Sequence, residues 1–587
     1  WSSCSPSSCW VSAIFWQGSF RMSLDLVLLH PPSVYDFRRK AILYGPVADL
    51  IPSSSMFEMY PIGFTSLAEY LENAGYRVRI VNLAVRMLAD KRFDAEAMIK
   101  KLKAPLFGID LHWLVSSHGA IEVARIIKKH HPESKIVFGG LSSTYFYKEL
   151  IRYPEVDYVM RGDSTEEPLR QLMDCVRQGF EPDKVPNLVW KDANGEVQEN
   201  PFSHIPADLS HLMVSNYADT VRSVIRYRDL ASYAPFQGWK DYPITAVLTC
   251  KGCGENCVIC GGSAAAFRKF YGRERPVFRS PEAVIRNVKQ IEKFSTGPIF
   301  ILGDLLHNGK GYAEEILRGL EGVKNQLILE LFNSAPPGFI KKMGRACPNF
   351  CLEISPESHD PLVRKASGRN YSNAELERTI AEALEAGCAR MDVFFMIGLP
   401  RQTPDSVRET VDYCEQLFQR FKGEKRLFPF IAPISPFLDP GSLGFEQPKR
   451  YGYNVRFHTL EEHRQALLAP NWRDSLNYET RWMNRQQIAD SAYEAILGLN
   501  ELKAKYGIIP IEMAALGEKR IKAAQAMARR IDEVMAGENA EAELTKLKPE
   551  IDEINAFPVV ERQQLELVRG GVGLRFWRSF WSWLTGR

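Results

Sequence analysis

The sequence predicts an α/β protein made of two successive strand–helix alternations followed by a helical end. Between residues 24 and 161, short runs of Val, Ile and Leu alternate with amphipathic helical patterns. A second alternation runs from 244 to 433, and past 450 the strand signals give way to helical periodicity. A third observation marks the start of the second alternation. Four of the eleven cysteines lie between Cys250 and Cys260, in Cys-Lys-Gly-Cys-Gly-Glu-Asn-Cys-Val-Ile-Cys-Gly-Gly-Ser.

Composition sets the bounds. A chain of 587 residues has room for two to four domains, and 45% hydrophobic content fills ordinary cores. A net charge of +3 gives no electrostatic case for a nucleic-acid partner. No apolar run approaches the roughly 18 residues of a membrane span. Cys175, Cys388 and Cys414 fall in predicted helices and the CxxxC pair Cys347 and Cys351 reads as packing, which suits a reducing, cytoplasmic compartment. Residues 1–21 begin without Met, and their apolar run from Trp10 to Trp16 lacks the basic stretch that opens a secretory signal. This stretch reads as a leader, with Met22 the expected start of the fold.

In the first alternation, residues 24–30 form a buried strand. Pro61 to Gly75 then makes a helix with Leu67, Leu71 and Ala74 on one face and Gly75 as its stop. Strands follow at 77–82, 105–110, 135–139 and 156–161, and helices such as Ala120 to Lys129 complete βαβ units. Residues 22–180 are therefore a doubly wound parallel sheet. Ligands bind such sheets beyond the carboxyl ends of the strands, where Gly139 and Gly140 let backbone approach a large flat ligand. A flavodoxin-like nucleotide or cobalamin domain is implied. Residues 186–200 read as a hairpin around Asn194-Gly195, inside a linker spanning 181–240.

The second alternation has strands at 244–249, 298–303, 327–332, 350–355, 391–397 and 427–433. Ser280-Pro281-Glu282, the capping box of Ser372 with Glu375, and Thr403-Pro404 start helices between them. Six βα units over 241–450 make an open, TIM-like (β/α)6 barrel, with chemistry at the carboxyl ends of its strands. Gly303, Asp304, Ser355, Glu357 and Gly398 sit at such ends, and each polar one reads equally as a strand-end cap. Residues 451–587 are a helical extension, with a capping box at Thr459 and Glu462. Its end, from Leu574 to Leu584, mixes large aromatics with Arg575 and Arg578, as either an interfacial helix or a packing element would.

The cysteine stretch carries the chemistry. Cys253, Cys257 and Cys260 are spaced CxxxCxxC, and the four glycines around them argue against a helix. A loop wrapped round something compact fits, and thiolates favour zinc or an iron–sulfur cluster. A cubane held by three cysteines keeps one iron open to a small ligand. The alternative is a four-cysteine zinc knot that uses Cys250 as well. Arg268, Lys269, Arg273, Arg275 and Arg279 follow, and read as a solvated face in preference to an anionic-substrate site.

At these residues the chain resembles the radical S-adenosylmethionine (SAM) superfamily, despite Ile259 where an aromatic residue is more usual. The resemblance implies that Cys253, Cys257 and Cys260 ligate a [4Fe-4S] cluster whose open iron chelates SAM. It also implies that a low-potential electron donor, flavodoxin or ferredoxin, feeds the cluster, which cleaves SAM to methionine and a 5′-deoxyadenosyl radical. By the same resemblance Gly303 and Asp304 take the place of the methionine-binding motif, with Leu302 where its first glycine belongs. Ser355 and Glu357 match ribose contacts, and Ile397 and Gly398 match the strand that packs on adenine.

The first half, with His30-Pro31-Pro32, Pro61-Ile62-Gly63, Gly139-Gly140 and Asp157 to Asp163, resembles the cobalamin-binding domain of the cobalamin-dependent radical SAM enzymes. The DxHxxG motif of cobalamin mutases is absent after the first strand. Asp110-Leu111-His112 has only its first half, so no histidine is expected on the cobalt, and His30 and His112 read as strand-end polar residues. The implied activity is a methyltransferase acting on an unactivated carbon of a small molecule or lipid. The alternatives are cyclisation, carbon–carbon coupling or rearrangement with the same cofactors, or a non-catalytic cobalamin or metal sensor.

Overall fold

The computed structural model describes residues 24–46, 54–210, 212, 217–556, 562–566 and 572–575. The leader therefore lies outside the described residues.

Five buried apolar runs form the parallel strands β1 (Leu26–His30), β2 (Val78–Asn82), β3 (Leu106–Asp110), β4 (Lys135–Gly139) and β5 (Tyr158–Met160). They are ordered β2-β1-β3-β4-β5, the doubly wound arrangement expected. Because helices cover both faces, β1 and β3 are buried along their whole length, which is why they read as continuous apolar runs. The first helix, Gly63–Asn73, ends just before Gly75, whose φ of 85° only glycine adopts freely.

The hairpin strands β6 (Leu188–Lys191) and β7 (Val197–Glu199) do not stand apart. They extend the first sheet antiparallel to β5, giving seven strands. Arg161 ties them on, donating to Asn187 O and Asn200 O and pairing with Glu199 at 2.5 Å. The stretch beyond the hairpin, poor in sequence signals, holds a helix at Tyr217–Tyr227.

The second sheet begins with β8 (Thr245–Leu248). A short antiparallel pair, β9 (Cys250–Lys251) and β10 (Val277–Phe278), brackets the cysteine loop. Strands β11 (Ile299–Leu302), β12 (Leu327–Leu331), β13 (Cys351–Glu357), β14 (Arg390–Ile397) and β15 (Leu427–Pro433) complete six parallel strands in the order β15-β14-β13-β12-β11-β8. This is the open six-strand barrel. Ser280, Ser372 and Thr403 each cap the helix they were expected to start.

Past the barrel, β16 (Tyr453–Val455) and β17 (Tyr478–Thr480) pair antiparallel. Helices Arg485–Lys505, Ile511–Met535 and Ala540–Asn555 then follow. Met527, Ile531, Leu547 and Ile551 of the last two helices close on Leu43, so the helical extension reaches back to the first domain. No helix among the described residues is long and apolar enough to cross a membrane.

Candidate active site at the junction of the two sheets

The carboxyl ends of both sheets face one cavity of about 870 Å³. Asp110, His112, Gly139 and Gly140 come from the first sheet, and Leu302 and Cys250 to Gly252 from the second. Its lining is mostly apolar, with Phe64, Trp113, Phe236 and Phe437 among the rings. The two glycines behave differently. A Cβ on Gly140, whose φ is 116°, would lie 2.6 Å from His112 Cα, so that glycine lets two loops close up. A Cβ on Gly139 would meet nothing within 4 Å, which leaves a bare backbone ledge facing the cavity. Such a ledge is what a broad planar ring system rests on.

The two candidate histidines differ in their surroundings: both ring nitrogens of His30 are hydrogen-bonded, whereas His112 lines the cavity. His30 is buried, with Nδ1 2.9 Å from Asp110 Oδ1 and Nε2 donating to Phe57 O at 2.9 Å. Burial pulls its pKa down, but Asp110, the Phe57 carbonyl and Glu58 outweigh that and raise it. His112 lines the cavity edge-to-face with Trp113 at 4.5 Å, and burial drops its pKa to about 4, leaving a neutral ring at pH 7.

The cysteine stretch is a loop, with no helix until Ala264. Val258 N donates to Ser367 O at 3.0 Å and Gly444 N to Val258 O at 2.7 Å, which fixes the loop between two later segments. Burial pushes the Cys253 thiol up, the Cys257 thiol to about 12 and the Cys260 thiol higher still; Cys257 also feels Cys253, and Cys260 feels both Cys257 and Cys253. Backbone N–H groups of Glu255 and Gly262 already point at Cys253 Sγ (3.4 Å) and Cys260 Sγ (3.3 Å), and the charge of Arg369 works against the effect of burial on the Cys253 and Cys257 thiols. Thiols so buried become thiolates only against a metal's charge, and the aimed N–H groups suit sulfur ligands of a cluster.

Cys250 is set apart. It pairs with Phe278 in β9–β10 and points its Sγ at Gly252 O, 3.7 Å away. Among the described residues no three His, Cys, Asp or Glu side chains converge on a single-ion site.

The barrel-mouth residues form a charged network beside this loop. Asp304 is buried and takes N–H groups from Leu306 (2.8 Å) and Phe332 (2.9 Å), so its carboxylate caps backbone; burial raises its pKa. Gly303, with φ 101°, packs against Thr249 and Cys250. Glu357 is fully enclosed, with one oxygen 3.3 Å from Arg369 Nε. Ser355 is half-buried in the same strand. Ile397 is fully buried, and Gly398, with φ 99°, leaves no room for a Cβ against the Tyr478 hydroxyl. Gly303, Asp304 and Glu357 thus sit around the cysteine loop, whereas Gly398 is closed over by the β16–β17 pair.

The sequence reading missed Glu330. It accepts the Gly303 N–H, and burial with Asp304 nearby lifts its pKa to about 7. Its signal was a lone carboxylate inside the apolar strand Leu-Ile-Leu-Glu-Leu. The reading of the basic run as a solvated face holds for Arg268 but fails for Arg273 and Arg279, both buried. Arg279 spends its guanidinium on Asn287, Leu248 O and Leu212 O.

Comparison with known proteins agrees with this geometry. Residues 50–171 match the B12 binding domain, and residues 247–414 match the Radical SAM superfamily. The two in this order define the class, and the chain belongs to the cobalamin-dependent radical SAM enzymes. Its cofactors are accordingly a [4Fe-4S] cluster, SAM and cobalamin.

Among curated relatives it is 25% identical over 348 residues to the hopanoid C-3 methylase of Methylococcus capsulatus, covering 56% of this chain and 61% of that protein. It is 24% identical over 324 residues to the cytidylyl-2-hydroxyethylphosphonate methyltransferase of Streptomyces wedmorensis, covering 49% of this chain and 58% of that one. The chain thus spans less than two thirds of either relative. The fold is shared with the cobalamin-dependent S-adenosylmethionine radical enzyme OxsB bound to aqua-cobalamin, at a TM-score of 0.50 and 12% identity over 91% of this chain and 72% of that one.

Proposed function

We propose that this protein is a C-methyltransferase acting on an unactivated carbon of an apolar small molecule or lipid. The observation that carries the reading is that the Gly139–Gly140 turn and the start of the cysteine loop both open onto one shared, mostly apolar cavity. When bound, the cluster with SAM supplies a hydrogen-abstracting radical and the cobalamin a transferable methyl group.

The chain's residues do the rest. Cys253, Cys257 and Cys260 hold the cluster, and Gly139 gives the corrin its backbone ledge, with Gly140 letting the His112 loop close beside it. Gly303, Asp304, Ser355 and Glu357 shape the SAM pocket, with Arg369 neutralising Glu357, while Ile397 and Gly398 serve only as strand packing behind it. The aromatic lining excludes water from the reacting carbon. The named substrate class of the hopanoid methylase, a lipid, suits such a lining.

The test is anaerobic incubation of reconstituted protein with methyl-labelled SAM and a lipid extract, followed by mass analysis. A labelled product heavier by one methyl group supports methylation. An isomerised or cyclised product without label replaces it by rearrangement with the same cofactors.

A further inference from the structure

The segment that carries the cluster cysteines also grips the cobalamin-binding edge of the first sheet. Arg273, thirteen residues beyond Cys260, donates from Nε and Nη2 to the two carboxylate oxygens of Asp163 at 2.7 and 2.8 Å. Both side chains are nearly inaccessible, at 2% and 9%. Asp163 lies just past the carboxyl end of β5 and lines the cavity. The Arg273 stem reaches it across Gly252, the residue before Cys253, where a Cβ would lie 2.8 Å from Arg273 Cδ.

Two struts flank this pair. Lys251 donates to Asp163 O and sits 3.6 Å from Glu166, which Ser66 also contacts at 2.9 Å. Tyr271 donates to Leu141 O at 3.2 Å, next to the Gly139–Gly140 ledge. The contacts that Arg273 and Lys251 make with Asp163, and Tyr271 with Leu141, all join residues 251–273 to the carboxyl-end loops of β4 and β5 in the first sheet. A surface basic run would have no such partners, and a bidentate pair removed from water tolerates little change in geometry.

We infer that Asp163 and Arg273, braced by Lys251 and Tyr271, form a clamp that fixes the separation between the cobalamin edge and the cluster loop. They are positioning residues. The clamp rests on the proposed division of cofactors between the two sheets, but not on methyl transfer being the reaction. Loosening it leaves each cofactor bound while the distance between them spreads, so radical formation continues and transfer to substrate fails more often.

The test uses holoenzyme carrying both cofactors, with iron and cobalt counted for each variant. Pulsed electron paramagnetic resonance between Co(II) and the reduced cluster reads the distance distribution, which needs no substrate. The ratio of 5′-deoxyadenosine to product reads coupling. Wild type should give one narrow distribution. Arg273→Lys and Asp163→Asn should keep full iron and cobalt, broaden the distribution and raise the ratio, by up to about a hundredfold if the misplacement reaches ~1 Å. The exchange Asp163→Arg with Arg273→Asp should narrow the distribution again.

If Asp163→Asn does not fold, Arg273→Lys and Tyr271→Phe decide, because they remove one donor geometry each and leave the bulk in place. A narrow, unshifted distribution in loaded Arg273→Lys overturns the clamp. Failure of the methylation reading alone would appear as an unlabelled product, with the distance result unaffected.

Discussion

His30 Nδ1 and Asp110 Oδ1 lie 2.9 Å apart at the carboxyl ends of neighbouring strands β1 and β3, both side chains buried. With Nε2 donating to the Phe57 carbonyl, both ring nitrogens are engaged, which is the bonding of an imidazolium. The pair supports the floor of the cavity and leaves His30 no lone pair for cobalt.

Two outcomes follow for this pair. The folded pKa of His30 is raised, so its contribution to stability is complete below the ordinary value of 6.5 and is lost as pH rises through the raised folded value. The melting temperature of His30→Asn should therefore converge on that of wild type as pH climbs above neutrality. At pH 6 the variant should lose on the order of 3–5 kcal/mol, the cost of orphaning a buried charge. The Co(II) resonance of wild-type holoenzyme should lack the nitrogen splitting of a bound imidazole, and a splitting that disappears in His30→Asn would refute the assignment.

The glycine pair makes a paired prediction. In Gly140→Ala the new methyl meets His112 backbone in a left-handed conformation, which should cost about 1–3 kcal/mol of stability whether or not cobalamin is present. In Gly139→Ala the methyl enters open space over the ledge, so the apoprotein should melt as wild type does. Its cobalamin affinity should fall by roughly tenfold, about 1.4 kcal/mol. Equilibrium dialysis with the two variants separates the roles, and equal affinity in Gly139→Ala would remove the ledge.

The cysteines separate by position. Cys253→Ala, Cys257→Ala and Cys260→Ala should each drop iron well below the four atoms per chain of a cubane. Cys250→Ala, whose thiol faces Gly252 O, should keep iron and SAM cleavage. Stoichiometric zinc bound through Cys250 in the wild type would restore the zinc-knot reading.

Much of this was legible in the sequence because burial on both faces writes parallel strands as apolar runs. Lys135 to Gly139 was placed to the residue, and the cysteine spacing with its glycines gave the loop. Contacts between distant segments were not legible. Nothing local tells that Arg273 is buried against Asp163, 110 residues away, or that the hairpin at 188–199 joins β5 through Arg161. Glu330 went unnoticed because its partner, the Gly303 amide, lies just past the end of the neighbouring strand β11, 27 residues away.

The C-terminal end gives the last prediction. The sequence from Leu574 to Leu584 reads as either an interfacial helix or a packing element. The aromatic part from Phe576 onward lies outside the described residues. The stretch before it is docked on the underside of the barrel. Leu574 bridges Ser295 antiparallel, Thr296 N donates to Gly573 O at 3.0 Å, Gly573 N to Thr296 Oγ1 at 2.9 Å, and Arg575 N to Phe294 O at 2.7 Å. Phe294 and Ser295 end the helix that supports β11, so losing these bonds exposes backbone groups at the barrel's amino-terminal rim. A chain ending at Gly570 should therefore lose about 1–3 kcal/mol, net of the entropy its four docked residues regain. A chain ending at Arg575 should melt within a degree or two of full length, since it keeps every described contact of this stretch. Flotation with vesicles of mixed neutral and anionic lipids then asks the remaining question of the short truncation alone. If full-length protein floats and the chain ending at Arg575 does not, the aromatic end is an interfacial element independent of the docked stretch. Equal melting of both truncations and full-length protein would show that docking at Ser295 contributes nothing to stability.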